Sequence, residues 1–562
     1  MAWLGRRRDA AFWLALGTAF LLVILVANPI LRLVLDSVRA PGTGAWTLAN
    51  YTTAFGRPRN VTAVLNALQL ALAVAILAGA MAIPLAWGVS RTDMPGRRFV
   101  ESGVLASFLI PPFLGAIAWI LLAGPNAGFL NRLWVGLTGS AQGPLDIFTF
   151  SGLSLVIALY TFPLVFVFVR SALDLISADM EEAAAIHGAG PFQTTWLVTL
   201  PLALPALIGG LILVFLEALA LYGTPALIGI PARYNVVTTQ LASFFEYPVR
   251  VEVASAFSMP LVVITAVMLG LQRLVLARRG YVTVAGKGGE RRLVKLGGWR
   301  WLLFGWAGFV MLLAVGLPLL ILIQTSFAKA WGQGFSLQNL TFENYWRIFV
   351  VEATARRSMW NTFVYSVATA TACTGLGFAV AYVVQRRIIP YASVLALVTL
   401  APFAVPGIVL AIAFYAAYAG PPLGLYGTGV IIVLAFTTRF LPIAFTTAAA
   451  GVRGLHPELE EAVRILGGTR LQALSAVVIP LLKKTLVGAW VLIFIISTRE
   501  LSTAIFLSGP ETRVVSVLTL DLSEQGRYEP LAAMGLVLLL VTAATVGVGM
   551  RILGRDFMLR RP

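Results

Sequence analysis

Twelve stretches of mostly apolar residues divide the chain, at roughly 11–35, 66–90, 99–123, 151–173, 202–224 and 254–276, then 301–325, 362–385, 391–418, 429–450, 481–499 and 531–552. Each is long enough to cross the roughly 30 Å hydrocarbon core of a bilayer as a helix. Gly and Pro recur inside them, as membrane helices allow. The pattern predicts an all-α membrane protein with about twelve transmembrane helices. Near residues 277–300 the pattern changes. Arg278, Arg279, Lys287, Arg291, Arg292 and Lys295 lie there among Gly286, Gly288, Gly289, Gly297 and Gly298. That composition reads as a basic, flexible linker. It separates a first repeat, 1–276, from a second, 301–562. Six spans per half return the chain to its starting side, so the halves are parallel repeats about an axis along the membrane normal.

Composition supports the same class, since 59% hydrophobic and 12% charged residues leave too little charge to cover a soluble surface of 562 residues. The net charge of +17 matters through its placement. With Arg6, Arg7 and Arg8 inside, most of the 41 Lys and Arg fall on that same side, the positive-inside bias. Both termini, the linker, His187 and His456 are then cytoplasmic, with 36–60 and 326–360 outside. Contact with anionic lipid headgroups accounts for the charge, and no nucleic-acid partner is inferred. The first apolar run lacks a small-residue cleavage site and is expected to stay as a helix. The only Cys, Cys373, falls within a span and permits no internal disulfide.

One polar segment occurs twice, between the fourth and fifth spans of each half. The first copy is Glu181-Glu182-Ala183-Ala184-Ala185-Ile186-His187-Gly188, with Pro201 thirteen residues past the Gly. The second is Glu460-Glu461-Ala462-Val463-Arg464-Ile465-Leu466-Gly467, with Pro480 at the same distance. Glu and Ala favour helix, Asp179 supports its first turn through the helix dipole, and the Gly permits a positive-φ turn. Other marks repeat as well. Asn66 and Asn361 open the second span of each half, Thr161-Phe162-Pro163 matches Phe440-Leu441-Pro442, and Ile110-Pro111-Pro112-Phe113 resembles Leu400-Ala401-Pro402-Phe403. A lone amphipathic loop helix would lie on the bilayer surface. It would not predict a duplicate in register, which suggests two docking surfaces for a two-headed soluble partner.

Chemistry of its own is not legible in the chain. Gly286-Lys287 is followed by Gly288, so no phosphate loop forms there. Two His and one Cys give no soft-metal cluster, and no nucleophilic triad suggests itself. The chain is not expected to be an enzyme.

The Glu-Ala-Ala-x3-Gly pattern with its downstream Pro resembles the coupling motif of ABC-importer permeases, the membrane components of binding-protein-dependent transport systems. Val463 replaces the third motif residue in the second copy. The resemblance covers both halves and implies a fused, two-copy permease of a bacterial inner membrane. It implies that Glu181, Glu182, Ala183, Ala184 and Gly188, and Glu460, Glu461, Ala462 and Gly467, form short helices and turns parallel to the membrane that couple to ATPase subunits. The implied partners are two ATP-binding cassette subunits, which carry the ATP and Mg, and an extracytoplasmic substrate-binding protein. No cofactor is expected on this chain.

Charges inside or at the ends of spans mark the expected path, because intramembrane carboxylates are costly and usually face water. Glu217 lies in the fifth span, Arg439 in the tenth, and Arg499 and Glu500 end the eleventh. Arg439 either lines the path or pairs with a carboxylate to fix packing. The segments around Arg439-Phe440-Leu441-Pro442, Arg499-Glu500-Leu501-Ser502-Thr503-Ala504 and Glu217 to Pro225, including Tyr222, resemble the ferric-iron branch of fused permeases. In that branch an acidic residue commonly precedes the Tyr-Gly pair, where Leu221 stands here. Ferric iron, a hard cation suited to oxygen ligands, is the implied cargo. Arg439 and Arg499 fit an anionic chelate better than a bare ion. Thiamine, polyamine and phosphonate permeases share much of the pattern. An ion-coupled secondary transporter also has parallel six-span halves but needs no paired Glu-Ala-Ala loops.

The charge bias makes a topological prediction. In a Cys373→Ala background, a cysteine at Ser336 is expected to react with an impermeant thiol reagent added outside, and one at Gly288 is not. The reverse pattern would overturn the orientation.

Overall fold

The computed structural model describes residues 10–176, 178–278 and 293–553. Arg6, Arg7 and Arg8, and the linker residues Arg279, Lys287, Arg291 and Arg292, lie outside the described residues. Among the described residues the chain is all-helical, with only three isolated bridges and no strand.

Among the described residues ten helices are long and apolar enough to cross a membrane, and two bent helix pairs bring the total to as many as twelve. In chain order they are α1 (Phe12–Ser37), α2 (Pro58–Arg91), the pair α3 (Arg97–Leu109) and α4 (Pro112–Ala123), α5 (Phe150–Leu175), then the short motif helix α6 (Ala178–Ile186), α7 (Phe192–Ala220) and α8 (Val251–Val275). The second half repeats the series as α9 (Trp299–Ser326), α10 (Ala353–Gln385), the pair α11 (Ala392–Ala404) and α12 (Gly407–Tyr418), α13 (Gly429–Arg453), the motif helix α14 (Glu458–Ile465), α15 (Arg470–Thr498) and α16 (Tyr528–Ile552).

The third span of each half is therefore not straight. Its helices meet at 98° in the first half and 113° in the second. Proline is the cause, since the residue before it is pushed out of the helical region and its own nitrogen donates no bond. Ile110 (φ −75°, ψ 119°) and Val405 (φ −114°, ψ 111°) are extended, and Pro111 and Pro406 start the next helix. These prolines are 295 residues apart, as are Asn66 and Asn361. The structural counterpart of Ile110-Pro111 is thus Val405-Pro406, five residues beyond the sequence match with Leu400-Ala401-Pro402-Phe403. Almost every residue of α4 and most of α12 are buried, so these helices, apolar all round, form the middle of the molecule.

Packing repeats between halves. In the first, α2, α5 and α7 pack mutually; in the second, α10, α13 and α15 do the same. The opening helices cross over. α1 packs on α12 and α10, and α9 packs on α4 and α2, while each also touches the last helix of its own half. Helix α1 contains a π turn, Val23–Ala27, followed by Asn28-Pro29. Pro29 has no N–H for the Leu25 carbonyl, and the Thr438 hydroxyl of α13 donates to it instead at 2.9 Å. Matching π turns precede Pro201, Pro318 and Pro480. On the face opposite α6 and α14, an Asn-Tyr pair closes the end of each opening helix. Asn50 Nδ2 donates to the carbonyls of Ser37 and Arg39, and Asn344 Nδ2 to those of Ser326 and Ala328. Tyr51 and Tyr345 donate to the Ser37 and Ser326 hydroxyls.

Cross-packing of α1 and α9 predicts that the halves hold together without the covalent linker. A protease site inserted at Gly288 and cleaved in mild detergent is expected to leave both fragments co-eluting on size exclusion. Separation of the fragments would contradict the packing.

Candidate functional site

Both motif copies fold alike. α6 ends in Gly188 at φ +83° and α14 in Gly467 at φ +86°. Ala189 N–H donates to Ala184 O at 3.0 Å and Gly468 N–H to Val463 O at 2.9 Å, the six-to-one bond of a Schellman turn. A Cβ at Gly188 or Gly467 would meet nothing within 4 Å, so the backbone angle rather than space requires glycine. The chain re-enters through α7 and α15, and again the caps match. Gly190 N–H donates to Gln193 Oε1, and Thr469 N–H to Gln472 Oε1.

The two glutamates of each motif divide their roles. Glu182 and Glu461 are exposed, whereas the side chains of Glu181 and Glu460 turn inward. Glu181 takes Arg91 Nη1 at 3.3 Å and the Thr199 hydroxyl at 2.8 Å. Glu460 takes Arg386 Nε at 2.6 Å and the Tyr382 hydroxyl at 2.8 Å. The same guanidinium groups donate to Ile176 O and Leu455 O. Arg91 and Arg386 end α2 and α10, and sequence reasoning missed them because basic residues at span ends read as orientation charges. The tips carry apolar residues outward instead, with Ile186 84%, Ile465 85% and Leu466 88% exposed.

The intramembrane charges converge in part. Arg439 Nε lies 3.3 Å from Glu500 Oε2, and its Nη1 donates to Thr503 Oγ1 at 3.2 Å. Thr503 N–H caps Glu500 Oε1 at 2.9 Å, and the Thr503 hydroxyl donates to Gly407 O at the start of α12. A Cβ on Gly407 would fall 1.1 Å from Arg439 Nη1, so only glycine lets the guanidinium pass. Arg499 does not join this pair. It donates to Phe108 O and sits 4.5 Å over the Phe108 ring, with the charges of Glu217 and Glu500 both acting on it. Glu217 itself is exposed on α7. Tyr222 lies apart, buried edge-on to Phe506 at 6.0 Å. Beside it the halves touch, since a Cβ on Gly223 would meet Leu501 at 2.6 Å and Phe113 at 2.9 Å.

A cavity of about 380 Å³ opens between α3, α5, α13 and α15, lined by Val104, Phe108, Pro163, Val167, Lys484 and Leu492 among others. Its wall is chiefly apolar, and Phe108, which lines it, also carries Arg499 over its ring. Lys484, absent from the sequence-predicted path, supplies a cation. Among the described residues no group of three His, Cys, Asp or Glu could hold a metal ion.

Comparison with known proteins places these features. Residues 75–281 match the family described as the binding-protein-dependent transport system inner membrane component. An inner membrane ABC transporter permease of Escherichia coli is 31% identical over 243 residues, 41% of this chain and 76% of that protein. A ferric transport system permease of Actinobacillus pleuropneumoniae is 29% identical over 441 residues, 78% of this chain. The chain spans 63% of that relative's length. An Fe(3+)-transport system permease of Haemophilus influenzae is 23% identical over 554 residues, 96% of this chain and 98% of that one.

The Arg439–Glu500 geometry predicts a non-additive stability pattern. Breaking a buried pair strands the remaining charge, at about 3–5 kcal/mol, whereas apolar replacement of both partners is far milder. Arg439→Leu is expected to lower the thermal midpoint in detergent sharply, and Arg439→Leu with Glu500→Leu to recover most of it. Equal loss in the single and double variants would refute the pairing.

Proposed function

The chain belongs to the family of binding-protein-dependent inner-membrane permeases of ABC importers, and on that premise we propose that it is the two-copy permease of an importer for ferric iron. The observation that carries this reading is the pair of register-matched motif turns, each with a positive-φ Gly and an exposed apolar tip. Two equivalent surfaces suit two ATPase subunits, one on each. ATP and Mg²⁺ belong to those partners, and no cofactor is assigned to this chain. The face with α6 and α14 is cytoplasmic in this proposal, as are both termini, consistent with the concentration of Lys and Arg there. The opposite face receives an extracytoplasmic binding protein.

Transport rests on motion rather than bond chemistry. Closure of the ATPase pair moves α6 and α14, and the helices packed on them reshape the cavity between the halves. The names of the Actinobacillus and Haemophilus relatives support ferric iron as cargo. A second reading, an anionic cargo such as a ferric chelate or a phosphonate, is favoured by Lys484 in the cavity wall and by Arg499 on the ring of the lining residue Phe108.

Reconstitution tests both parts. With its ATPase subunits and binding protein in proteoliposomes, the chain is expected to take up radioactive ferric iron only when ATP is present. Uptake of a phosphonate and not iron would replace the cargo and leave the permease role. Gly188→Asp and Gly467→Asp put a Cβ and a negative charge at φ above +80°, and each is expected to abolish most binding-protein-stimulated hydrolysis while the chain stays inserted. Full stimulation in both variants would sink the coupling role of these turns.

A further inference from the structure

Resting on that docking reading, we infer that α2 and α10 act as struts that join each motif helix to the loop on the far side of the membrane, with Arg91 and Arg386 as positioning residues at one end and Asn66 and Asn361 at the other. At the near end each guanidinium binds three elements at once. Arg91, 3% exposed, ends α2, pairs with Glu181 of α6 and donates to Ile176 O beyond α5. Arg386 follows α10, pairs with Glu460 of α14 and donates to Leu455 O beyond α13. Charged hydrogen bonds in a water-poor setting are strong and directional, so each motif helix is fixed to the end of its strut.

At the far end the same helices hold the loop that follows the fifth span. Asn66 Nδ2 donates to Asn235 O at 2.9 Å, and Asn361 Nδ2 to Glu511 O and Arg513 O, both at 3.0 Å. Those loops fold back on the end of the fifth span: the Thr238 hydroxyl donates to Leu221 O and the Ser516 hydroxyl to Glu500 O. The near and far contacts are separated by twenty-five residues in both halves, from Asn66 to Arg91 and from Asn361 to Arg386. An α-helix of that length spans about 38 Å. The residues between them run as unbroken helix up to the final turn, through Pro84 in α2 and with no proline in α10. The same two-ended attachment thus occurs twice. A displacement of the motif helix is thereby delivered, across the bilayer, to the segment that carries Glu500 and Tyr222.

A strut fails equally when cut at either end. The test uses the full chain with its ATPase subunits and binding protein, comparing Arg386→Leu, Asn361→Ala and the double variant, each normalised to folded protein by size exclusion. Each single change is expected to lower binding-protein-stimulated hydrolysis by about tenfold, with the double no worse than the stronger single. Arg386→Lys is expected to restore part of the stimulation, and the ATPase subunits still co-purify with every variant. Multiplying losses in the double, or stimulation unchanged in both singles, would overturn the strut. Failure of the wild-type chain to bind ATPase subunits would instead overturn the docking reading.

Discussion

A chain that crosses hydrocarbon has no water to satisfy its backbone, and each carbonyl freed by a proline must find a donor inside the protein. Much of this architecture answers that demand. Pro29 deprives Leu25 O of its helical partner, and Thr438 from the other half supplies the missing bond. Tyr418, at the end of α12, donates to the neighbouring Ile24 O. The repair therefore draws α1 onto the second half. Pro111 and Pro406 break the third span of each half, and both α4 and α12 are buried among other helices rather than facing lipid.

The halves share a scaffold and the ion pairs at the motif helices, but not the other interior charges. Residues that position the motif helix recur: Arg91 with Arg386, Glu181 with Glu460, Gly188 with Gly467, Asn66 with Asn361. Residues of the interior diverge. At the offset of 279 that relates the motifs, Arg439 corresponds to Tyr160, Glu500 to Leu221 and Glu217 to Ile496. The Arg439–Glu500 pair thus has no counterpart at that offset in the first half, and Tyr160 packs against Gly115 whereas Arg439 passes Gly407. The supports of the two motif helices are thus alike, while the two walls of the interior are chemically unlike.

Local signals in the sequence recovered whatever local physics decides. Span extents follow from hydropathy, and the Gly188 and Gly467 turns from the one residue that tolerates positive φ. The right-angle breaks did not follow, because proline inside a membrane helix often leaves only a kink and nothing local distinguishes the two outcomes. The misregistered match of Ile110 with Leu400 has the same origin. Arg91 and Arg386 were hidden by their setting, since a basic residue at a span end is already explained by orientation. Their partners lie 90 and 74 residues away and depend on tertiary packing. Of the path residues, Arg439 and Glu500 meet, Glu217 and Arg499 lie within electrostatic reach, and Tyr222 does not join them. Helical periodicity alone ranks none of these pairs.

The crossing of α1 onto α12 sets an order for biosynthesis. Gly407 is synthesised about 370 residues after the end of α1, which at 5–20 residues per second is on the order of twenty seconds to a minute or more. Through most of that interval α1 has neither α10 nor α12 to pack against, and Thr438, which donates to the Leu25 carbonyl, is made later still. The contacts of α1 with α8 of its own half are available earlier than those with the second half. The order of synthesis thus leaves the contacts of the earliest helix with α10 and α12 among the last that can form.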